Sequence, residues 1–282
     1  MLPGPVTLRW RKIPEGLNPE APVASAAGFF LYTRQMTNTR VKAFIDGYNL
    51  YHGVDEMIRM GPGPARHHLK WVNLWNLVRA FTAPSREDLL KVYYFSAYAT
   101  WKPDACIRHR AYVKALESAG VTVILGKFNE KDCQCRNCGA RWISHEEKAT
   151  DVNIALRLLD EAVSGNFDRA IVLTADADLK PAVRLVRDKN PALLITALLP
   201  STRYRAAHEM KSVCHSASRF EERHLAANLF PDQILLGMGQ RCLALRNTHL
   251  LLAEPCRRPG RTLCAPTAGP APASRALPSL AT

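Results

Sequence analysis

Val41-Lys42-Ala43-Phe44-Ile45-Asp46-Gly47-Tyr48-Asn49-Leu50-Tyr51 is the stretch from which the rest of the chain can be read. Val41 to Ile45 is β-rich, and Asp46-Gly47 stops the run, so it is expected as the first strand. Working outward, β-rich runs alternate with helical patterns. Apolar residues at 71, 74, 75, 78 and 81 give a helical period, and Leu89 to Tyr98 is β-rich again. A helix is expected from about Pro103 to Ser118, stopped by Gly120, with a third strand over Val121–Leu125. Ser144 and Glu147 have capping-box spacing, which predicts a helix over 144–165 with Val152, Ala155, Leu156, Leu159 and Val163 as its apolar stripe. Ala170–Leu173 is the fourth strand, and Leu179–Arg187 the next helix. Leu193–Leu198 is an unbroken apolar run flanked by prolines, as in a strand buried on both faces. Strands separated by helices imply right-handed crossovers, hence an α/β fold with a mainly parallel sheet and helices on both sides.

Composition bounds the remainder. The 282 residues are 47% hydrophobic and 22% charged, enough for a sizeable core and far from disorder or a small disulfide scaffold. No apolar run approaches the ~18–20 residues that a membrane-spanning helix needs. The formal charge is +13, which suggests a polyanionic partner. Residues 41–240 hold 27 basic and 22 acidic groups, so most of the excess lies toward the two ends, where it adds weak, salt-sensitive attraction. Residues 1–40 are expected to be a poorly ordered extension. Residues 216–240 are expected to be a C-terminal helical segment packed on a 41–215 domain, and 241–282 a largely disordered tail rich in Ala, Pro and Ser.

The strand ends carry acids. Asp46 closes the first strand, and Asp176 and Asp178 follow the fourth in Thr174-Ala175-Asp176-Ala177-Asp178. Asp151 falls in line with Ala155, Leu158 and Ala162, at the edge of the expected helix's buried stripe. Ligands of doubly wound sheets bind beyond the carboxyl ends of the strands. Converging carboxylates stay ionised at neutral pH when a cation compensates them, and an oxygen-only donor set without His favours Mg²⁺ or Mn²⁺. Taken singly, Asp176 and Asp178 are better explained as helix caps. Taken together, the acids favour a metal site.

Three segments carry a resemblance: Phe44-Ile45-Asp46-Gly47-Tyr48-Asn49-Leu50-Tyr51, Lys148-Ala149-Thr150-Asp151-Val152, and Leu173-Thr174-Ala175-Asp176-Ala177-Asp178-Leu179. In order and spacing they resemble the NYN domain family, a branch of the PIN-like nucleases that includes LabA-like bacterial proteins. The resemblance runs from about Val41 to Asp232. It implies a PIN-like three-layer α/β/α fold and metal-dependent RNA cleavage, with Asp46, Asp151 and Asp176 holding Mg²⁺ or Mn²⁺ and Asp178 as a further ligand or neighbour. Asn49 would orient Asp46 or contact substrate, and Ser96 would sit at the site rim or be a buried hydroxyl. Relatives often have Ser-Gly-Asp-Ser-Asp where this chain has Thr-Ala-Asp-Ala-Asp, so the hydroxyl between the two acids is missing. Lys148 would meet phosphate, balance the acids, or pair with Glu147 or Asp151. RNA is the expected partner, with a homo-oligomer as a candidate assembly. The alternative is a PIN-like module that binds RNA or protein without cutting. A haloacid-dehalogenase-type enzyme would need a second acid at Tyr48.

Cys133-x-Cys135-x₂-Cys138, within an expected insertion over 128–143, has zinc-knuckle spacing at its second pair, with Gly139 after it. Cys133 and His145 complete a candidate structural Zn²⁺ set. Eight cysteines at irregular spacing form no disulfide framework, and the cluster points to a reducing compartment, the cytoplasm. Arg108, His109, Arg110, Arg203 and Arg205 are candidate phosphate contacts, with a solvated surface as the simpler alternative for each.

Overall fold

The computed structural model describes residues 38–62, 64, 66–235 and 241–243. The expected N-terminal extension up to residue 37 and the tail beyond 243 lie outside them. The elements, in chain order, are β1 (Thr39–Asp46), α1 (Gly47–Met60), α2 (Leu74–Arg79), β2 (Glu87–Ser96), α3 (Pro103–Ser118) and β3 (Thr122–Leu125). Then come β4 (Lys127–Gln134), β5 (Arg141–Lys148), α4 (Thr150–Val163), β6 (Arg169–Leu173), α5 (Lys180–Lys189) and β7 (Leu194–Pro200). The described chain closes with α6 (His208–Val213), β8 (Ser216–Phe220), α7 (Glu222–Ala227), β9 (Gln233–Leu235) and β10 (Arg241–Leu243). Among the described residues no helix is long and apolar enough to cross a membrane.

Six strands form one parallel sheet in the order β3-β2-β1-β6-β7-β8. Because successive side chains of a strand point to opposite faces, each strand feeds two cores. Val41, Ala43 and Ile45 of β1 pack with α1, α2 and α3, whereas Phe44 packs with α4, α5 and α6. The result is the three-layer α/β/α arrangement that the strand–helix alternation implied. Lys42, on the second face, is compensated by Glu161 of α4 at 2.5 Å, and Glu161 also accepts from Tyr93. The largely apolar β7 is buried on both faces from Ile195 onward, as expected, with Leu194 exposed and the Thr196 hydroxyl bonded to Ser216.

The local structure departs from expectation in three places. First, Ser144 and Glu147 do not cap a helix. Residues 141–148 are β5, paired antiparallel with β4 in a hairpin that comprises the expected Cys-bearing insertion. Helix α4 starts only at Thr150, after Ala149 takes a left-handed turn at φ 70°. Second, α4 buries Ile154, Leu158 and Ala162. Val152, Leu156 and Val163 of the expected stripe are 58%, 60% and 69% exposed. Ala155 and Leu159 of that stripe pack partly buried against the second core, so the buried face is centred on the 154–158–162 row beside them. Third, the 216–240 segment is not only helical: Ser216–Phe220 adds the sixth strand, beside β7. Its Ser-Ala-Ser-Arg-Phe composition carries no apolar run, because an edge strand needs little burial.

Candidate active site at the switch point of the sheet

From β1 the chain winds outward to β2 and β3, then returns to place β6 on the other side of β1. The crevice beyond the carboxyl ends of β1 and β6 is therefore the topological switch point, where parallel α/β sheets bind ligands. Asp46 stands at the end of β1, and Thr174 to Asp176 follow β6. Backbone and side-chain hydrogen bonds lace the two ends together. Asp46 Oδ1 accepts from the Asn49 amide at 2.9 Å, capping α1, and Asp46 Oδ2 accepts from the Thr174 hydroxyl at 3.0 Å. That hydroxyl in turn accepts from the Asp176 amide at 3.1 Å. Asn49 Oδ1 accepts from the Ala175 amide at 3.1 Å, and Asp176 Oδ1 from the Asp178 amide at 3.0 Å. Gly47 follows because nothing larger fits: a Cβ there would lie 2.6 Å from the Tyr94 ring and 2.7 Å from the Phe95 carbonyl.

These strand ends open into a cleft of about 650 Å³, whose walls include Asp46, Glu147, Asp151 and Asp176. Asp46 is buried, and that burial pushes its carboxyl up to about 7. The bonds from Asn49 and Thr174 work against the rise, while Asp151 and Glu147 add to it. Glu147 is raised by burial and by Asp151, even though the Thr150 hydroxyl donates to it at 2.6 Å. Asp151 is solvent-accessible, but the cleft walls displace enough water to raise it, with Asp176 and Asp178 contributing. Each of these acids is thus acted on by other acids. The cations at the cleft are engaged elsewhere: Lys148 Nζ lies 3.0 Å from Glu146, and Arg203 Nε lies 3.1 Å from Glu56.

This all-oxygen, uncompensated set suits a hard divalent cation in its chemistry. Its spacing is looser. Among the described residues no three His, Cys, Asp or Glu side chains stand close enough together to enclose an ion in this arrangement.

The remaining expected site residues scatter. Asn49 and Lys148 line the cleft, but Lys148 ends β5 and is not on a helix. Asp178 is exposed beside the cleft in the short turn that Asp176 caps. Ser96 is not at the rim. It is buried, with its hydroxyl 3.4 Å from His109 Nε2. His109 is itself a core residue, pushed down to about 3 by burial and by Arg110, so it is no phosphate contact. Of the five basic candidates named from sequence, Arg203 lines the cleft.

The cysteine and histidine candidates part company on the hairpin. Cys133 lies opposite Trp142, and Cys135 and Cys138 bracket the turn, where the Gly139 amide donates to the Cys135 carbonyl at 3.0 Å. His145 pairs with Glu130, three positions from Cys133, which is about 10 Å along the strand and on the opposite face. His145 stacks instead on Trp101, with ring centroids 3.6 Å apart.

Two residues of the site were missed from sequence, Glu147 and Thr174. Glu147 looked like a helix cap, and only the hairpin register delivers it to the cleft. Thr174 could have been recognised as the hydroxyl that stands at the first Ser of the Ser-Gly-Asp-Ser-Asp pattern.

The NYN domain profile matches residues 40–222, the whole of the parallel sheet and both walls of the cleft. The chain belongs to the NYN domain family. NYN domains fall within the PIN-like nuclease superfamily, in accord with acids gathered at the end of a parallel sheet. A curated relative, 6-hydroxy-3-succinoylpyridine 3-monooxygenase HspA of Pseudomonas putida (strain DSM 28022 / S16), is 24% identical over 205 residues. The match covers 60% of this chain and 62% of that protein's length. A crystal structure of a protein of unknown function, VPA0982 from Vibrio parahaemolyticus RIMD 2210633, is 17% identical with a TM-score of 0.41. That match covers 65% of this chain and 93% of the Vibrio protein.

Proposed function

We propose that this NYN protein is a metal-dependent ribonuclease acting at the switch-point cleft. The observation that carries the reading is the set Asp46, Glu147, Asp151 and Asp176 on one cleft, where Asp46, Glu147 and Asp151 are each raised in part by neighbouring acids and the cleft's Lys148 and Arg203 pair with Glu146 and Glu56. Asp46, Asp151 and Asp176 would hold Mg²⁺ or Mn²⁺, with Glu147 and Asp178 at its margin. When bound, the cation supplies charge to the phosphoryl oxygens and makes water a better nucleophile. The chain's own part is placement. Asn49 and Thr174 hold the ends of β1 and β6 in register, so that Asp46 and Asp176 face the same phosphate. Lys148 and Arg203 are tethered to rim carboxylates, which phosphate oxygens can replace. The reaction is in-line hydrolysis, in which a water oxygen bonds to phosphorus as the ester bond to the departing sugar oxygen breaks.

The test is cleavage of end-labelled single-stranded RNA by purified full-length protein with Mn²⁺ or Mg²⁺. Asp46→Asn and Asp176→Asn should each reduce the rate by on the order of a thousandfold. Cutting by both variants at the rate of the unaltered chain sinks the assignment. Because one relative is named as a monooxygenase, the assay belongs under anaerobic conditions, where hydrolysis proceeds and an oxygenase does not. A second reading is favoured by the looseness of the acidic set: a module that binds RNA without cutting it. Retained binding with no cleavage over a broad RNA panel selects that reading.

A further inference from the structure

Facing the acids, the same cleft carries aromatic rings that the proposed reaction leaves unused. Phe128 of β4 and His145 of β5 reach it from the hairpin, and Tyr48 and His52 from α1. The hairpin rings are held from behind. Trp101, between β2 and α3, lies parallel to His145 at 3.6 Å and 11°, and meets Phe128 edge-on at 4.8 Å and 80°. On the other side Tyr48 and His52 meet at 4.4 Å and 62°. None of these five rings belongs to either hydrophobic core. Phe128 is half-buried and the His145 side chain is 12% exposed, so both are packed from behind by Trp101 and only the surface they keep faces the cleft, most of it from Phe128.

Planar, partly wet aromatic surface beside a phosphate-handling site is what an unpaired base requires. Stacking on a ring needs the base's face, which a duplex hides between neighbouring pairs. The cleft volume also suffices for a nucleotide or two. Lys148 and Arg203 supply the positive charge that a backbone needs alongside the rings.

We propose that the Trp101-backed hairpin wall is a base-stacking subsite: one base of a single-stranded RNA lies against Phe128 and His145, bringing the adjoining phosphate to the carboxylates. This deepens the ribonuclease reading and rests on it for the role of the phosphate. The stacking itself does not depend on cleavage. It also gives the hairpin a task that its expected zinc did not: the hairpin selects single strands.

The experiment uses full-length protein and an RNA oligonucleotide bearing a single 2-aminopurine, whose fluorescence falls when the base stacks on an aromatic ring. Binding should quench the probe, and a duplex of the same sequence should bind at least about tenfold more weakly. Phe128→Leu preserves apolar packing but removes the ring, so quenching should be lost and single-strand affinity should fall about tenfold, while Phe128→Trp restores both. A merely structural Phe128 would be satisfied by Leu and would leave quenching unchanged. Should the Leu variant fold poorly, a 5-iodouridine RNA photocrosslinked to the unaltered chain should map to the peptides carrying Phe128 or His145. Crosslinks elsewhere, duplex binding as tight as single-strand binding, or an unquenched probe overturn the proposal. Quenching by free purine base without oligonucleotide binding also overturns it, and marks a small-molecule pocket instead. The two readings fail separately. Quenching without cleavage upholds the subsite and removes the nuclease, and cleavage with an unaffected Phe128→Leu does the reverse.

Discussion

The two walls of the cleft are built on different principles. The β1–β6 wall grows out of the most buried part of the sheet, and its acids sit where main-chain geometry puts them: Asp46 caps α1, and Asp176 caps the turn after β6. The hairpin wall grows out of two mostly polar strands that touch neither core and hold position through ladder bonds and the Trp101 stack. The first wall concentrates charge at the cost of stability. The second provides surface and costs the fold little. The cleft thus joins a wall anchored in the sheet and carrying acids to a wall held only by its own ladder and one ring stack.

The largest expected contrast lies in how each wall responds to pH. The carboxyl of Asp46 is raised to about 7 in the folded chain from an ordinary 3.8, so the native state holds its proton more tightly than the unfolded state does. That contribution is complete below about pH 4 and is lost as pH rises through about 7, a change of roughly 4 kcal/mol at most. Metal-free protein should therefore melt progressively lower between about pH 4 and 8 in calorimetry. Asp46→Asn should flatten this trend while abolishing cleavage, because the amide oxygen still accepts from Asn49. Added Mg²⁺ or Mn²⁺ should restore the melting temperature at pH 8 in the unaltered chain and not in the variant. A pH-independent melting temperature in the unaltered chain would remove Asp46 as the strained residue.

A smaller effect separates placement from bulk on the acidic wall. Thr174→Val keeps the shape but removes the hydroxyl that joins Asp46 to the Asp176 amide, and Thr174→Ser keeps the hydroxyl. The Val variant should lose about 1–3 kcal/mol of stability and cut about ten- to a hundredfold more slowly, with Ser near the unaltered chain. Equal rates for Val and Ser would show that the hydroxyl does not position the acid. The smallest effect belongs to the hairpin. Since His145 faces away from Cys133, zinc content by elemental analysis should be the same for His145→Ala as for the unaltered chain. A drop in zinc on that substitution would show the hairpin re-forming around a metal and would undo the contrast between the walls.

How much could be read beforehand differs between the walls as well. β1, β6 and β7 were legible because a parallel strand buried on both faces is written mostly in apolar residues, and the acids that follow β1 and β6 then stand out. Glu147 and the start of α4 were not. Ser144-His145-Glu146-Glu147-Lys148 has the local propensity of a helix start, and its pairing with Lys127–Lys131 depends on main-chain bonds that leave no apolar period. Ser96 was legible as the end of β2, but sequence left rim and buried hydroxyl both open, because the choice is decided by His109 arriving from α3.

The sequence by itself determined the alternation of strands and helices, hence a parallel sheet, and which of its strands end in carboxylates. Those properties follow from local composition and from the handedness of the crossovers. Tertiary structure alone decided that β6 lies beside β1, that the Thr174 hydroxyl and Glu147 join the acids, and that His145 turns from the cysteines to Trp101. Each of these rests on register between segments far apart in the chain. A one-residue change of register moves a side chain to the other face of its strand, and local propensity does not encode it.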